Sequence, residues 1–236
     1  MSAAAERAVP VVGFDLDMTL VDSSTLIGTC LTAALAAHGI ASSPAAVWRT
    51  IGVPLEVALT DLAPGADEAL RTAVALDYRA GHDAPDAPGV PPLPGALAAL
   101  DAVRAAGGRA LVISAKQQGP LELVLAEAGL AASVDVAVGG RFAEAKGAVL
   151  VELGATAYVG DHPGDVVAAL TAGVEGLSVL TGPVGEAELR AAGATAVLPD
   201  LSGFPRWLEG HVQRLGADTL GAEARLGRPA PATRES

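Results

Sequence analysis

Short aliphatic runs alternate with helical stretches along most of the chain, and this alternation constrains the fold more than any other feature. The runs are Val9–Phe14, Arg109–Ser114, Val134–Val138, Ala155–Gly160 and Gly176–Leu180. The helical stretches are Gly95–Ala106, Pro120–Ala128, Ala145–Leu153, Gly164–Ala172 and Gly185–Ala192. Buried strands that alternate with helices are typical of a parallel sheet covered on both faces. We therefore predict an α/β fold with helices on both faces of a parallel sheet.

The alternation is interrupted once, between Ser23 and Pro92, where the pattern predicts helices and no strong strand. The expected helices are Thr25–His38, Pro44–Ile51, Leu55–Leu62 and Asp67–Ala80. The segment ends in the proline-rich stretch Pro85–Pro94, a composition typical of a hinge. We predict a core built from residues 1–22 and 93–216, a helical insert at 23–92, and a disordered polar tail at 217–236.

Composition excludes several kinds of protein. Of the 236 residues, 27 are acidic and 15 basic, for a formal charge of -12, which disfavours nucleic-acid binding. Cys30 is the single cysteine, so no internal disulfide is possible, and a reducing, cytoplasmic location is expected. Because Cys30 lies in the apolar run Leu26–Leu35, we interpret it as a buried helix residue that serves only in packing. We find no signal-peptide pattern and no apolar run of membrane-spanning length.

Polar residues follow several of the predicted strands. Asp15 and Asp17 come after the first strand, Ser114 and Lys116 after the second, and Gly160–Asp165 after the fourth. Ligands of open parallel sheets bind beyond the carboxyl ends of the strands, so these side chains are expected to converge. Carboxylates packed together repel one another unless a cation neutralises them, and Mg²⁺ prefers such hard oxygen ligands. Beside Mg²⁺, the carboxylate of Asp15 becomes a candidate nucleophile towards phosphorus.

These motifs resemble those of the haloacid dehalogenase superfamily, in its phosphoglycolate-phosphatase-like branch. The resemblance covers roughly residues 9–200. It rests on four motifs in order: the strand and Asp-x-Asp-x-Thr of Val11–Leu20, a strand-end hydroxyl at Ser114, a lysine at Lys146, and Gly-Asp-x-x-x-Asp at Gly160–Asp165. The resemblance implies a Rossmann-like core plus an inserted all-helical cap at 23–92.

The resemblance also implies a role for each motif residue. Asp15 would attack phosphorus, and Asp17 would protonate the leaving alcohol and then activate water. Ser114 and Lys146 would bind the phosphoryl oxygens.

The metal and orienting roles follow from the same resemblance. Asp15, the backbone carbonyl of Asp17, and Asp161 would hold Mg²⁺. Thr19 would fix the geometry around Asp17, and Asp165 would support the metal site or orient Lys146. Asp165 could also serve as the N-cap of the helix that follows.

Some positions depart from the family pattern or leave alternatives open. Met18 stands where glycine is commoner, and Gly147 follows Lys146 in place of the frequent proline. Lys146 lies close in sequence to Asp161, so Lys116 is an alternative for the same role. We interpret His162 as a loop residue near the metal without a chemical role. Arg49, Arg79 and His82 are interpreted as residues on solvated cap helices that could reach substrate.

The function predicted from these residues is Mg²⁺-dependent hydrolysis of a small phosphorylated metabolite, either phosphoglycolate-like or a sugar phosphate. A dehalogenase is disfavoured, because that reaction does not need Asp17. A phosphomutase of the same superfamily stays open, since it uses the same aspartate pair. A non-catalytic binding module on this scaffold is the other alternative. No obligate protein partner is predicted.

Overall fold

The computed structural model describes residues 9–84 and 86–226, with side chains described up to residue 217. Its centre is a parallel sheet with the strand order β3-β2-β1-β4-β5-β6. The strands are β1 (Val11–Phe14), β2 (Arg109–Ile113), β3 (Val136–Val138), β4 (Ala157–Gly160), β5 (Glu175–Val179) and β6 (Ala196–Leu198). The five predicted strands are confirmed, and β6 was not predicted.

The helices occupy the segments between the strands, as the alternation predicts. They are α1 (Ser24–Ala37), α2 (Pro44–Arg49), α3 (Leu55–Leu62), α4 (Glu68–His82), α5 (Ala96–Ala105), α6 (Gln118–Glu127), α7 (Glu144–Glu152), α8 (Pro163–Ala172), α9 (Glu186–Ala192) and α10 (Phe204–Leu226). Short 3₁₀ turns lie at Ala131–Ser133 and Leu201–Gly203. The α/β class is therefore confirmed.

Successive strand residues point to opposite faces of the sheet, which explains how helices cover both. On one face Val12 and Phe14 pack in a core with residues of α5, α6 and α10. On the other, Tyr158 packs with Leu150 of α7 and with residues of α8. The intervening Gly13 gives this second face room, since a Cβ there would lie 2.7 Å from both the Leu150 and Tyr158 side chains.

Helices α1 to α4 lie between β1 and α5, where the cap is predicted. They have an apolar core of their own, which includes Leu31, Leu35, Leu59 and Val74. The two connections to the sheet run side by side, because Val21 forms an antiparallel bridge with Pro92. Leu26 and Cys30 of α1 belong to the main core, so these helices are joined to the sheet by packing as well as by the two connections.

The C-terminal helix differs from the sequence-based expectation. Helix α10 passes Gly216 without a break and ends at Leu226, so the predicted start of a disordered tail at 217 falls inside a helix. The Ala, Leu, Glu and Arg residues of this stretch favour helix, which outweighs its polar composition. Residues 227–236 of that predicted tail lie outside the described residues.

Two smaller expectations concern membranes and the cysteine. Among the described residues, no helix combines the length and the apolar character needed to cross a membrane. Cys30 is 7% exposed on α1, so its interpretation as a buried helix residue is confirmed.

Candidate active site

The predicted site residues gather where the strand order reverses. The chain moves from β1 out to β2 and β3 on one side, then returns to place β4 on the other side of β1. Asp15 follows β1, Asp161 follows β4 and Ser114 follows β2, and all three are buried. A switch point of this kind is the usual ligand site of an open α/β sheet.

Lys146 reaches this point from α7 and is 1% exposed. Its Nζ lies 2.9 Å from Oδ1 of Asp15 and 2.7 Å from Oδ1 of Asp165. Burial opposes its charged form, yet the two carboxylates raise the pKa of Lys146 well above its ordinary value. Burial raises the pKa of Asp15 to about 7, and the charge of Lys146 limits that rise.

Packing explains why glycine, and not the proline frequent in the family, follows Lys146. A Cβ at Gly147 would lie 2.6 Å from Cβ of Thr171, so the missing side chain allows α7 to pack closely against α8. This close approach brings Lys146 to Asp15 in spite of the short connection to β4. Lys116 is therefore not needed for that contact, and the structure places it elsewhere.

The N-cap of α8 is His162, so the alternative of Asp165 as N-cap is wrong; Asp165 is the third residue of the helix and contacts both Lys146 and His162. Its Oδ1 contacts Lys146, and its Oδ2 accepts a hydrogen bond of 3.1 Å from the backbone N–H of His162 at the start of α8. Gly160 is required for this position, because a Cβ there would lie 2.2 Å from Cγ of Asp165. The glycine of the Gly-Asp-x-x-x-Asp motif thus makes room for its second aspartate.

His162 has a structural place at the same helix end. Its Nδ1 accepts a hydrogen bond of 3.0 Å from the N–H of Gly164, and its ring lies 5.8 Å from that of Phe142. On its other side it meets the cap, since a Cβ at Gly52 would lie 3.6 Å from the ring. Burial lowers the pKa of His162.

Asp161 is fully buried with one oxygen held and one free. The hydroxyl of Thr19 donates a hydrogen bond of 2.9 Å to Oδ1, whereas Oδ2 has no hydrogen-bond partner. Gly182, in the loop after β5, lies so close that a Cβ there would be 1.8 Å from Oδ2. Burial and the neighbouring carboxylates of Asp165 and Asp15 raise the pKa of Asp161 well above its usual range.

The arrangement of oxygens fits a divalent cation. Carboxylate oxygens of Asp15, Asp161 and Asp165 lie within 4.8 Å of one another. With Asp17 the site has four buried carboxylates, against the two ammonium groups of Lys146 and Lys116. Oδ1 of Asp15 has only an ion pair with Lys146, and Oδ2 of Asp161 has no partner. Buried carboxylates in excess of cations are stabilised by a bound metal ion.

The loop that carries Asp17 has a left-handed residue at the position where glycine is commoner. Met18 has a φ of 58° and is 4% exposed, so burial of its side chain offsets a conformation that costs about 1–2 kcal/mol. Its N–H donates to the carbonyl of Val21, and its own carbonyl accepts a hydrogen bond from the hydroxyl of Thr181. The loop is therefore fixed on both sides.

Ser114 and Lys116 form a short turn beyond β2. The backbone N–H of Lys116 donates a hydrogen bond of 3.2 Å to the Ser114 hydroxyl, which is itself 1% exposed. The Lys116 side chain is 8% exposed, and its Nζ lies 3.4 Å from Oδ1 of Asp17. Lys116 thus stands beside the second aspartate, not beside the first.

A cavity of about 220 Å³ lies between this edge of the sheet and the cap. Asp15, Asp17, Ser114 and Lys116 line its floor, and cap residues line its walls. The walls are largely apolar, with Ile27, Leu31, Ile51, Val53, Leu55 and Ala58 among them. A ligand whose phosphate meets Asp15 would therefore be enclosed by the cap.

The three basic cap residues separate in the structure. His82 lines the cavity with a side chain only 7% exposed, so its interpretation as a solvated helix residue is wrong. Its Nε2 lies 3.2 Å from Nζ of Lys116. Arg79 also lines the cavity but pairs with Glu56 at 3.0 Å, and Arg49 is exposed on α2.

Sequence reasoning missed the loop after β5. Thr181 holds Met18, and Gly182 lies against Asp161. The signal was present, because Thr181 and Gly182 follow a predicted strand just as the recognised residues do. The contact between His82 and Lys116 had no comparable signal, since it joins the cap to the core.

Comparisons with known proteins agree with this geometry. The family model for "Haloacid dehalogenase-like hydrolase" matches residues 12–179. The phosphoglycolate phosphatase of Rhodospirillum rubrum is 37% identical over 233 residues, which cover 90% of this chain and 95% of that protein. Among solved structures, a protein described as a haloacid dehalogenase-like hydrolase from Bacteroides fragilis is 25% identical, with a TM-score of 0.75 over 82% of this chain and 98% of that chain. A predicted phosphatase from Clostridium acetobutylicum shares the fold at 22% identity, with a TM-score of 0.75 over 86% and 99% of the two chains.

The match of the family model extends from β1 to β5 and includes every site residue predicted from the sequence, but not Thr181 and Gly182. The similarity to the Rhodospirillum rubrum protein covers nearly the whole of both chains. Together they confirm the predicted enzyme class, a phosphoric monoester hydrolase, and the chain belongs to the family of haloacid dehalogenase-like hydrolases.

Proposed function

We propose that the protein hydrolyses a small phosphorylated metabolite, phosphoglycolate-like or a sugar phosphate, in a Mg²⁺-dependent reaction through an aspartyl-phosphate on Asp15. The observation that carries this proposal is the position of Asp15. Its carboxylate opens into the cavity beside Asp17 and Ser114 and is held from behind by Lys146. A buried carboxylate fixed by an ammonium group is oriented for attack, because it loses little freedom on reaction.

In the first half-reaction, an oxygen of Asp15 forms a bond to phosphorus as the bond from phosphorus to the leaving oxygen breaks. Ser114 and Lys146 bind the phosphoryl oxygens, where negative charge is concentrated. Asp17 donates its proton to the leaving oxygen, so that an alcohol departs instead of an alkoxide.

In the second half-reaction, Asp17 accepts a proton from water as the water oxygen attacks phosphorus. The bond between Asp15 and phosphorus breaks, which restores both aspartates and releases inorganic phosphate. The same residue thus acts as acid and then as base, and its place in the cavity floor serves both steps.

The metal proposed for this site is Mg²⁺, held by Asp15, the backbone carbonyl of Asp17, and Asp161. When bound, it would neutralise the carboxylates and the phosphoryl oxygens. Thr19 supports this arrangement by its hydrogen bond to Asp161, and Asp165 by its contact with Lys146.

The cap is proposed to select the substrate. Its apolar walls close over the floor of the cavity, where the leaving group would lie. A phosphomutase would use the same aspartates but would return the phosphoryl group to a sugar, so release of inorganic phosphate distinguishes the two activities.

The test is hydrolysis of p-nitrophenyl phosphate and of a panel of phosphorylated metabolites in Mg²⁺, with phosphate release measured. Intact mass spectrometry after rapid quenching should detect a phosphoryl adduct on the parent protein and none on Asp15→Asn. Asp61→Asn, which changes an exposed aspartate of the cap, is the matched control. Full turnover by Asp15→Asn, or an adduct on it, would refute the proposal.

A further inference from the structure

The ammonium group of Lys116 has one anionic partner among the described residues, the carboxylate of Asp17, and the contact is long. Its Nζ is 3.4 Å from Oδ1 of Asp17, beyond an ordinary charge-assisted hydrogen bond, and that oxygen has no hydrogen-bond partner. The nearer contact, 3.2 Å to Nε2 of His82, is to an imidazole nitrogen. A lysine with a side chain 8% exposed therefore keeps donor capacity directed into the cavity that it lines.

His82 fixes this ammonium group without neutralising it. Burial lowers the pKa of His82, and the charge of Lys116 lowers it further, so the imidazole accepts a hydrogen bond in its neutral form. His82 also lies against Tyr78, with ring centroids 6.0 Å apart, which restrains it on α4. The cap thus orients Lys116 while leaving its positive charge available.

Arg79, which also lines the cavity, already has a carboxylate partner. Arg79 pairs with Glu56 at 3.0 Å, and both side chains are substantially exposed, at 46% and 69%. An anion that entered the cavity would have to displace Glu56 to reach Arg79. Lys116 is buried and its ion pair with Asp17 is longer, at 3.4 Å, so it is the better site for a negative charge on the substrate.

The position of Lys116 also limits the length of the substrate. Adding one hydrogen bond of about 2.7 Å between Asp17 and the leaving oxygen to the 3.4 Å between Asp17 and Lys116 places Nζ within about 6 Å of that oxygen. Only a short leaving group can place a carboxylate in this interval. The turn between Ser114 and Lys116 keeps the phosphate end and this second anion site in one rigid segment.

We infer that Lys116, oriented by His82, binds the carboxylate of a short phosphorylated hydroxy acid and so determines substrate specificity. This inference rests on the proposed function, because it places the phosphate at Asp15. Lys146 and Ser114 hold one end of the substrate and Lys116 the other, with Asp17 beside the bond that breaks. The cap takes part in recognition of the carboxylate through the contact of His82 with Lys116.

The test compares two esters that differ only in the anion, 2-phosphoglycolate and 2-hydroxyethyl phosphate. For Lys116→Met we expect kcat/KM for 2-phosphoglycolate to fall by about 10- to 100-fold more than for 2-hydroxyethyl phosphate, mainly through KM. Lys116→Arg should restore part of the preference. His82→Phe, which keeps a ring against Tyr78, should reduce the preference by a smaller factor.

Arg190→Met is the control for loss of a cation, since Arg190 is exposed on α9 and pairs with Glu186. It should leave the preference for the carboxylate unchanged. If Lys116→Met lowers kcat/KM equally for the two esters, the inference is overturned, because Lys116 then acts only through its contact with Asp17. The inference is also overturned if kcat/KM falls for neither ester. Turnover of p-nitrophenyl phosphate without turnover of 2-phosphoglycolate would overturn the inference but keep the proposed function. A parent protein that hydrolyses no phosphate ester in Mg²⁺ would refute both.

Discussion

Nζ of Lys146 lies 2.9 Å from Oδ1 of Asp15, although the lysine comes from α7 and the aspartate from the loop after β1. Removal of one partner from a buried ion pair leaves a charge uncompensated, at a cost of about 3–5 kcal/mol. Lys146→Met should therefore lower the free energy of unfolding by about that amount in metal-free buffer, and should abolish most turnover. Urea unfolding and p-nitrophenyl phosphate hydrolysis measure the two effects. Arg190→Met, which breaks only an exposed pair, should change stability by less than about 1 kcal/mol.

Gly160 makes room for Asp165, so a methyl group at Gly160 should displace the carboxylate of Asp165 from its contacts. Gly160→Ala places a Cβ 2.2 Å from Cγ of a buried carboxylate that is held by both Lys146 and His162. We expect a loss of about 1–3 kcal/mol in stability and a clear loss of turnover. Gly119→Ala is the matched control, because it lies on α6 with nothing within 4 Å of the added Cβ. A Gly160→Ala protein that behaves like this control would contradict the packing argument.

Asp17→Asn is expected to impair different steps of the reaction from Asp15→Asn. Asp17→Asn keeps the nucleophile but removes the proton donor, and general acid–base catalysis typically contributes about 10²–10⁴-fold. Esters with a good leaving group need little protonation, so formation of the aspartyl-phosphate should be less impaired for p-nitrophenyl phosphate than for alkyl esters. Hydrolysis of the intermediate should stay slow, so the adduct should accumulate. Rapid quenching and intact mass spectrometry measure it, and equal impairment for both kinds of ester in the first step would disprove the role.

Binding of Mg²⁺ should be detectable without any turnover. The excess of buried carboxylates at Asp15, Asp161 and Asp165 predicts that Mg²⁺ raises the melting temperature, because a ligand bound to the native state stabilises it. Asp161→Asn should remove most of this rise, whereas Asp61→Asn should keep it. Ca²⁺ should also raise the melting temperature but inhibit hydrolysis, since its looser coordination lets Asp15 bind through both oxygens. EDTA should abolish turnover, and full activity after exhaustive dialysis against EDTA would contradict a metal requirement.

The dependence of stability on pH should show a contribution from His211, which lies far from the active site. His211 is 1% exposed, stacks on Trp207 and contacts Glu175 and Thr156. Burial lowers its pKa in the folded protein. The unfolded chain therefore takes up this proton first, and the stabilising contribution is complete above about pH 6.5 and is lost as the pH falls towards the folded pKa.

Urea unfolding between pH 8 and pH 5 measures this effect. His82 and His162 act in the same direction as His211, whereas the raised pKa values of Asp15 and Asp161 make stability rise as the pH falls, so the measure is the difference between variant and parent. His211→Phe, which keeps a ring on Trp207, should lose less stability than the parent between pH 8 and pH 5. An unchanged slope would show that His211 does not take part.

The positions of the residues that follow strands could be predicted, because they depend only on the order of residues within a short segment of sequence. An aliphatic run that ends at Asp15 or Asp161 places the carboxylate at the carboxyl edge of any parallel sheet. Strand β6 was missed, although it matches the predicted β3 in having three half-buried residues. The sequence showed that Met18 stands where glycine is commoner, but it did not predict the left-handed backbone conformation of this residue.

The pairing of Lys116 with His82 could not be predicted from one sequence. It depends on the orientation of the cap relative to the sheet, which is set by packing at the hinge and by no local pattern. The roles of all the predicted site residues in the reaction stay predictions; Asp17 and Ser114 line the cavity, and Asp165 contacts Lys146.

Strand β1 is the first to be synthesised, yet both of its neighbours come much later. Val12 lies opposite Ala110 on one side and Ala157 on the other, so the central strand has no partner until residue 113 of the 236 is made, and lacks its second partner until residue 160. The cap helices, by contrast, make their contacts within a short stretch of sequence. Contacts between distant residues form slowly because chain closure must precede them. During synthesis the cap should therefore gain structure first, while β1 stays an exposed apolar strand that depends on rapid completion of the chain to avoid aggregation.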